Sequence, residues 1–237
     1  MFPIRDLNPA RGPTIVTLAI IVANVVVFVV WQPHTTADAQ IAFLYRWAAV
    51  ACELVTRHPL EALALETGRC IAPSGADVLF PEKHLALSVL VSMFLHSNIV
   101  HIAGNMWFLW IFGDNVEEAF GAIGYIALYL VAGLAAAAGF TLLHPGSVTP
   151  MIGASGAIAG VLGAYLVLFP ARPVLALSII GVVPVPSAIF LGLWFVGKFG
   201  VADPGVAWEA HVAGFLAGAV VAMLLRGTRH TTRVMRR

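Results

Sequence analysis

Long apolar runs separated by short polar stretches dominate the pattern of this chain. Six runs approach or reach the roughly 20 apolar residues that a helix needs to cross a bilayer core about 30 Å thick. The alternation typical of membrane β-strands is not seen, because the runs are long and rich in Ala, Leu, Val and Gly. The pattern therefore predicts one bundle of six transmembrane helices. The predicted segments are residues 14–31, 86–112, 123–143, 152–169, 174–197 and 208–225.

The composition supports this prediction. Of the 237 residues, 60% are hydrophobic and only 11% are charged, and the mean hydropathy is +0.92. Ordinary soluble domains do not approach these values. The formal net charge of +1 gives no indication of nucleic-acid binding, so the expected surroundings are membrane lipid and no nucleic acid.

Basic residues near the segment ends predict the orientation, because cytoplasmic loops retain positive charge. Arg5 and Arg11 precede the first segment, and Arg172 lies between the fourth and the fifth. The link at 113–122 is acidic and has no base, but acidic residues contribute little to this rule. Both termini are therefore expected in the cytoplasm. Five further arginines follow the last segment: Arg226, Arg229, Arg233, Arg236 and Arg237.

The first segment has two interpretations. Ala37-Asp38-Ala39 imitates the small-residue cleavage site of a signal peptide. The apolar run from Thr14 to Trp31 is longer than the usual apolar region of such a peptide. We therefore favour an uncleaved membrane anchor.

Residues 32–85 are the one long stretch without a predicted span, and the charge rule places them outside. Within this first loop, residues 40–56 mix aromatic and aliphatic side chains with a few charges, which is typical of an interfacial helix. A loop helix packed on the bundle fits the same pattern. Cys52 and Cys70 also lie here, and a disulfide in an oxidising compartment and two free thiols both remain open.

Polar residues within the apolar segments are the candidates for chemistry. His96, His101 and Asn105 interrupt the second segment, Ser155 begins the fourth, and His211 lies in the sixth. Lipid does not tolerate such side chains, so they must face the bundle or a water-filled cavity. His101 and Asn105 are four residues apart and share one helix face, whereas His96 lies about 140° further around.

Small residues and prolines predict how the helices pack. Glycines four residues apart let two membrane helices approach closely, and contact between the fourth and sixth segments would bring Ser155 near His211. Pro184 and Pro186 remove two helix donors, so the fifth helix is expected to be kinked or loosely packed. The glycine pairs are Gly156 with Gly160 and Gly214 with Gly218.

Together these residues offer a nucleophile, a base and oxyanion donors. A serine hydroxyl needs an adjacent base, so Ser155 and His211 are candidates for a catalytic pair. Glu209 precedes His211 by two positions and points to another helix face, which favours a dyad over a triad. His101 and Asn105 could both donate to a carbonyl oxygen, with the backbone N–H of Ser155 at a helix N-terminus as a third donor.

Each residue alone has a simpler explanation. A serine in a membrane helix rich in Gly and Ala is usually a packing residue. Intramembrane histidines also bind metal or relay protons, and an asparagine can simply bond a neighbouring helix. Only the combination supplies the three roles that a serine hydrolase site requires.

At these residues the chain closely resembles the rhomboid family of intramembrane serine proteases, over roughly residues 84–225. Several motifs occur in the order that the family shows, whereas GxSG alone would be weak. The matches are HxxxxHxxxN at His96, His101 and Asn105, GxxxExxxG at Gly113, Glu117 and Gly121, GxSG at Gly153, Ser155 and Gly156, and AHxxGxxxG at Ala210, His211, Gly214 and Gly218.

The resemblance implies an all-α polytopic membrane protein, a six-transmembrane-helix bundle of the rhomboid type. The protease domain would cover residues 14–225, between a cytoplasmic N-terminal segment at 1–13 and a basic cytoplasmic tail at 226–237. The first loop, at about 32–85, would lie partly in the membrane. The fifth helix would correspond to the one often discussed as the substrate gate of this family.

By motif position, Ser155 would be the nucleophile and His211 the general base, with His101, Asn105 and Ser155 stabilising the oxyanion. Many members carry an aromatic residue one turn after the serine, where this chain has Ala159. The Trp-Arg pair of the family's first loop has no clean counterpart, since the order here is reversed. Structural support would come from His96, Glu117, Gly153, Gly156 and Gly214.

The sequence thus predicts an intramembrane serine endopeptidase that hydrolyses peptide bonds in or near transmembrane segments of single-pass membrane proteins. No cofactor and no metal are expected, because water is the second substrate. The expected location is a bacterial inner membrane, because the chain shows no transit peptide and little beyond the six-helix core. The sequence indicates neither the substrate nor the oligomeric state.

Three rival functions make different demands on the sequence. A non-catalytic rhomboid-like binding protein for membrane clients would lack the serine or the histidine, and this chain has both. A small transporter or proton relay would show inverted repeats and paired broken helices, and we find none. A metal-dependent membrane protease would need a His-Glu-x-x-His helix, which the sequence does not contain.

Overall fold

The computed structural model is mainly helical, with five short strands among the described residues. It describes residues 1–8, 10–179, 181–197, 207–228, 231, 234 and 235. The tail residues Arg229, Arg233, Arg236 and Arg237 lie outside this part of the chain. The elements are β1 Phe2–Asp6, α1 Ile15–Val26 with a π-helical turn Val27–Trp31, α2 Ala37–Trp47, β2 Ala49–Val50, α3 Ala51–Thr56, α4 Ala62–Thr67, α5 Leu85–Ser92, α6 Ile99–Leu143, β3 Pro150–Met151, α7 Ser155–Leu168, β4 Pro173–Ser178, β5 Gly181–Pro186, α8 Ser187–Val196 and α9 Trp208–Leu225.

Length and composition give a helical membrane protein but do not establish six spans. Within the described ranges, α6 and α9 are the two helices long and apolar enough to cross a membrane by themselves. Three further apolar helices are shorter, with 10–17 residues each: α1 with its π-helical turn, α7 and α8. The helix α9 coincides with the predicted sixth segment.

The helix α6 contains two predicted segments and the link between them. Its backbone leaves helical geometry at Gly121, where φ is 71° and ψ is 167°. Twelve residues along a straight helix would separate Gly113 from Tyr125 by about 18 Å. A Cβ added at Gly113 would nevertheless lie 2.6 Å from the Tyr125 hydroxyl. The chain therefore folds back at Gly121, and α6 is two packed arms.

The closest packing in the bundle joins α7 to α9. A Cβ added at Gly214 or Gly218 would overlap the backbone carbonyl of Gly156 or Gly160, respectively. The second arm of α6 covers the same contact, because the Cβ atoms of Ala132 and Ala136 lie against Gly160 and Gly156. The predicted close approach of the fourth and sixth segments is therefore present. Backbone meets backbone, so only glycine fits at these positions.

A three-stranded antiparallel sheet corrects the all-α prediction and the predicted fifth span. Its strand order is β1-β4-β5, so residues predicted as the first half of a transmembrane helix form a hairpin instead. Only Ser187–Val196 of the predicted segment is helical among the described residues. Pro184 and Pro186 lie in β5 at the edge of this sheet and do not kink a helix. An edge strand tolerates proline because its outward side needs no donor.

The first loop is an ordered unit. Its strand β2 pairs with β3, just before α7, and Cys52 donates its backbone N–H to the Ser147 carbonyl at 3.0 Å. Cys52 and Cys70 form a disulfide, which answers the question that the sequence left open. The stretch at 40–56 contains parts of two different helices. No residue of α2 is buried, as suits an interfacial helix, whereas Ala51, Cys52 and Glu53 of α3 are buried.

Several connecting segments meet at one end of the bundle. The Asn8 side chain donates to Asn115 at 2.7 Å, and Thr231 donates to the Ala119 carbonyl at 3.1 Å. Strand β1 pairs with β4, which follows Arg172. The segments that the charge rule assigned to the cytoplasm therefore lie together on one side. The first loop and the 144–154 connection meet at the other end.

Candidate active site

The loop before α7 presents Ser155 as the first residue of that helix. Gly153 adopts a φ of 116°, which favours glycine, and it donates its N–H to the Ser92 carbonyl at 2.9 Å. This bond and the β2–β3 pairing fix the loop to the first loop and the end of α5. No side chain caps the N-terminus of α7, so its first N–H groups face the site with the positive end of the helix dipole.

Ser155 and His211 are in direct contact. The Ser155 Oγ and the His211 Nε2 lie 2.7 Å apart, which is hydrogen-bond distance. The contact follows from the packing described above, because Gly156 adjoins the serine and Gly214 lies one turn after the histidine. His211 is buried, so its imidazole is held within the bundle. This geometry suits the transfer of a proton from the hydroxyl to the imidazole.

The ring of His101 lies beside the serine. A Cβ built on Gly153 would come within 2.9 Å of the His101 Nε2 and 3.4 Å of the Ser155 Oγ, so both atoms flank one point. The other ring nitrogen of His101, Nδ1, lies 3.1 Å from the Ser97 hydroxyl. Asn98 caps α6 by accepting from the backbone N–H of His101 at 2.9 Å. The cap and Ser97 together orient the imidazole.

Asn105 lies one turn after His101 on the same face of α6, and its side chain is buried. Its Nδ2 has no hydrogen-bond partner among the described residues. Buried amide donors are normally satisfied, because an unmade hydrogen bond costs about 1–3 kcal/mol. The unused Nδ2 donor of Asn105, one turn after His101, is therefore suited to an acceptor atom that a bound ligand supplies.

The two other polar residues of the motif do not contact the serine. His96 is buried with its ring edge-on to His101 at 5.1 Å, and its backbone exchanges hydrogen bonds with the Gln32 side chain at 2.8 and 2.9 Å. Glu117 lies about three turns beyond Asn105 along α6. Its carboxylate accepts from the backbone N–H groups of Val16 and Thr17 at 2.9 and 2.7 Å. It therefore caps α1.

The surroundings of His211 include residues that the sequence did not indicate. Trp194 of α8 lies 6.5 Å from the imidazole, ring centre to ring centre, and tilted by 59°. It supplies an aromatic neighbour although Ala159 stands at the position after the serine. Glu209 pairs with His144 at 2.7 Å. Neither contact could be found from sequence, because one tryptophan in an apolar helix and one remote histidine carry no positional signal.

The described part of the chain contains no group of three or more His, Cys, Asp or Glu side chains that could hold a metal ion. The polar groups of the candidate site lie on three helices, α6, α7 and α9. They comprise the Ser155 hydroxyl, the imidazoles of His211 and His101, the amide of Asn105 and the N-terminus of α7. This arrangement can deprotonate a hydroxyl and stabilise an oxyanion.

Residues 84–228 match the Rhomboid domain, a length that contains every predicted site residue and runs from just before α5 to beyond α9. The chain belongs to the rhomboid family. Rhomboids act on membrane proteins within the bilayer, and membership supports intramembrane proteolysis as the general activity. The helical fold and the apolar helices agree with this family.

Curated relatives carry rhomboid names, and the regions that align with this chain cover different shares of their lengths. The mitochondrial Rhomboid protein 1 of Saccharomyces cerevisiae is 31% identical over 144 residues, 56% of this chain and 40% of that protein. The mitochondrial RHOMBOID-like protein 6 of Arabidopsis thaliana is 27% identical over 233 residues, 88% of this chain and 68% of its own. Rhomboid protease GluP of Bacillus subtilis is 33% identical over 138 residues, 58% of this chain and 25% of its own.

The relatives limit what is known of the whole protein. This chain spans only two fifths of the yeast protein and a quarter of GluP, so its activity, substrates and partners are proposals. Two of the three relatives are named mitochondrial. These names do not support the expected bacterial inner membrane over a mitochondrial membrane. What is established is that the chain is an integral membrane protein.

Proposed function

We propose that this rhomboid is an intramembrane serine endopeptidase that uses Ser155 as nucleophile and His211 as general base. The observation that carries the proposal is the 2.7 Å contact between the Ser155 Oγ and the His211 Nε2. A hydroxyl at this distance from a buried imidazole can lose its proton as it attacks a carbonyl carbon. Water is the second substrate, so the reaction needs no cofactor.

The reaction proceeds in two proton-coupled steps. The Ser155 Oγ attacks the scissile carbonyl while the His211 Nε2 takes the hydroxyl proton. The tetrahedral intermediate collapses as the imidazolium returns this proton to the leaving amine, which leaves an acyl ester on Ser155. Water then attacks the ester, passes its proton to His211, and the second collapse returns the proton to Ser155.

Three donors stabilise the oxyanion in this scheme. They are the imidazole N–H of His101, the Nδ2 of Asn105 and the backbone N–H of Ser155 at the uncapped end of α7. The unpartnered Asn105 donor supports the assignment, since a donor aimed at a developing charge is satisfied only during reaction. A single donor of this kind contributes about 10²–10³-fold in turnover.

The substrates in this proposal are single-pass transmembrane proteins. Their helices must unwind locally to expose a carbonyl, because a helix in lipid bonds every backbone group internally.

We propose six membrane crossings, with the two arms of α6 as separate spans. The end of the bundle that holds β1 and Arg172 faces the cytoplasm or its organellar equivalent. The disulfide suits the opposite, oxidising side.

Purified protein in proteoliposomes with a reference transmembrane substrate tests the mechanism. Ser155→Ala and His211→Ala should each abolish cleavage while the protein still folds, whereas Ser74→Ala in the first loop should cleave normally. Asn105→Ala should cut turnover by about 10²-fold or less, because other donors remain. Cleavage that survives in Ser155→Ala would refute the proposal.

Active-site labelling separates the protease from a non-catalytic binding protein. A fluorophosphonate should form an adduct located by mass spectrometry on Ser155, and His211→Ala should slow its formation. A binding protein of the same family would hold its membrane client equally well in the wild type and in Ser155→Ala, with no adduct. That result would refute the proposed protease and favour the binding function.

A further inference from the structure

The β1-β4-β5 sheet has two faces that its register separates cleanly. Pro3 is paired with Ala176, and Val174 with Val185, and these four side chains are buried. The neighbouring positions along β4 and β5, and the β1 residues paired with them, must point to the opposite face, because strand side chains alternate. A β-bulge between Pro3 and Arg5 shifts the register of β1 by one residue and brings Arg5, the partner of Leu175, to this face. That opposite face, called the outer face here, comprises Phe2, Arg5, Pro173, Leu175, Leu177, Val182, Pro184 and Pro186.

The outer face is apolar although the described part of the chain leaves it uncovered. Phe2, Leu177 and Val182 are 50%, 50% and 51% exposed, and Ile179 at the hairpin turn is fully exposed. A sheet with one face in water normally carries polar residues there. Here Arg5 is the one charged side chain of the outer face. Exposed apolar surface of this kind marks a contact with a membrane or a partner.

The outer face continues into the exposed surface of α6. Phe2 stacks on Trp107 of α6 with ring centres 5.8 Å apart, and the Trp107 indole N–H donates to the Pro3 carbonyl at 2.8 Å. Trp107 and the neighbouring Trp110 are exposed. Exposed tryptophans of membrane helices concentrate at the headgroup layer. On the other side, β5 runs directly into α8, whose Ile189 is also exposed.

The edge of the sheet is chemically suited to a shallow position in the membrane. Unpaired backbone donors are costly in hydrocarbon, so open sheet edges do not enter the bilayer core. The edge strand β5 carries Pro184 and Pro186, two positions apart and therefore on the same edge. Neither has an N–H, which removes two of the outward-facing donors. Arg5 and Arg172 beside the sheet suit anionic headgroups.

We propose that the outer face docks into the boundary between headgroups and acyl chains of the adjoining leaflet, so that lipid is its partner. An apolar face of this kind lies about 5–10 Å into the boundary. The sheet then acts as a surface anchor at the base of α7 and α8. The proposal is independent of catalysis, because it involves none of the residues around Ser155.

Depth-dependent fluorescence quenching tests this contact in the full chain. Ile179→Cys, labelled with a fluorescent maleimide, is placed in nanodiscs of phosphatidylcholine and phosphatidylglycerol with one copy per disc. The native cysteines are joined in the disulfide, so the label is specific. Nitroxides near the top of the acyl chain should quench at least about threefold more than nitroxides near the chain end, given the shallow depth. Aqueous iodide should quench weakly.

Two control positions calibrate the depth scale. Leu134→Cys, exposed on the second arm of α6, should be quenched best by the deep nitroxide. Ala76→Cys, exposed in the first loop, should be quenched best by iodide. Val182→Cys reports on the outer face independently and decides the question if Ile179→Cys does not fold.

Strong iodide quenching at Ile179 and Val182, with none from lipid nitroxides, would overturn the proposal. Iodide quenching that disappears only in discs with two copies would assign the face to a second copy of this chain, which also overturns it.

Discussion

Replacing Gly214 by alanine tests whether the catalytic contact depends on the approach of α7 to α9. The added Cβ would come about 1 Å closer to the Gly156 carbonyl oxygen than real Cβ atoms approach such an atom. The opposing atoms are backbone, so no side chain can rotate away. The two helices must therefore separate locally by about 1 Å. Overpacking of this kind costs about 1–3 kcal/mol in unfolding free energy.

The displacement falls directly on the proposed dyad. His211 precedes Gly214 by one helical turn, and Ser155 adjoins Gly156. A shift of about 1 Å would lengthen their 2.7 Å contact to about 3.7 Å, beyond hydrogen-bond range. Misplacement of reacting groups by 1 Å can cost about 10²-fold in rate. We therefore expect Gly214→Ala to cleave about 10²-fold more slowly while it still folds.

The assay compares initial cleavage rates in proteoliposomes, rates of fluorophosphonate labelling and unfolding midpoints. Gly104→Ala is the matched control, because Gly104 adjoins Asn105 but a Cβ there meets nothing within 4 Å. It should keep the wild-type cleavage rate and gain slightly in stability, since alanine favours a helix by about 0.8–1.0 kcal/mol. A wild-type rate and midpoint in Gly214→Ala would refute the inferred backbone contact.

Three further predictions concern stability, each read as an unfolding midpoint. Glu117→Gln should lower it, because the buried carboxylate accepts hydrogen bonds from Val16 and Thr17 worth about 1.5–3 kcal/mol each; an unchanged midpoint would contradict the capping role. Cys70→Ser should cost about 3 kcal/mol and remove the effect of reductant, whereas a midpoint that still responds to reductant would contradict the disulfide. Burial raises the pKa of Asp6 to about 7, with Asp114 adding to the rise and the Tyr165 hydrogen bond opposing it. The pKa of Asp6 in the folded protein then exceeds its unfolded value of 3.8. The contribution of Asp6 to the free energy of unfolding is therefore complete below pH 3.8 and is lost as the pH rises through 7. Asp6→Asn should not show this loss of stability with pH.

The candidate site was predictable because its chemistry is tied to motifs and to glycine spacing. The pair of glycines in each of two segments predicted a close contact, and the contact places Ser155 against His211. The aromatic neighbour Trp194 was not predictable, because it reaches the histidine from a helix whose position depends on the fold. The capping partner of Glu117 was missed for the same reason: it lies on α1, far away in sequence.

The fold was predictable where helices are long and uninterrupted, as in α9. The hairpin at 173–186 was predicted as a helix because both of its faces are apolar, which erases the alternation that marks a strand. Its content of valine and proline was the available signal, since β-branched residues favour strands and proline opposes a helix interior. The acidic stretch at 113–122 is predicted as a link between two spans, yet the helix continues through it as far as the break at Gly121, with tertiary hydrogen bonds to Asn8 and Val16.

The pairing of β1 with β4 sets a condition on the order of events during synthesis. Strand β1 is made first, but its partner emerges only after α7, so at about 5–20 residues per second it waits for roughly ten seconds or more. Both strands must reach the same side of the membrane before they can pair. A chain in which one intervening helix inserts the wrong way would leave them on opposite sides. We therefore expect the sheet to close only in correctly threaded molecules.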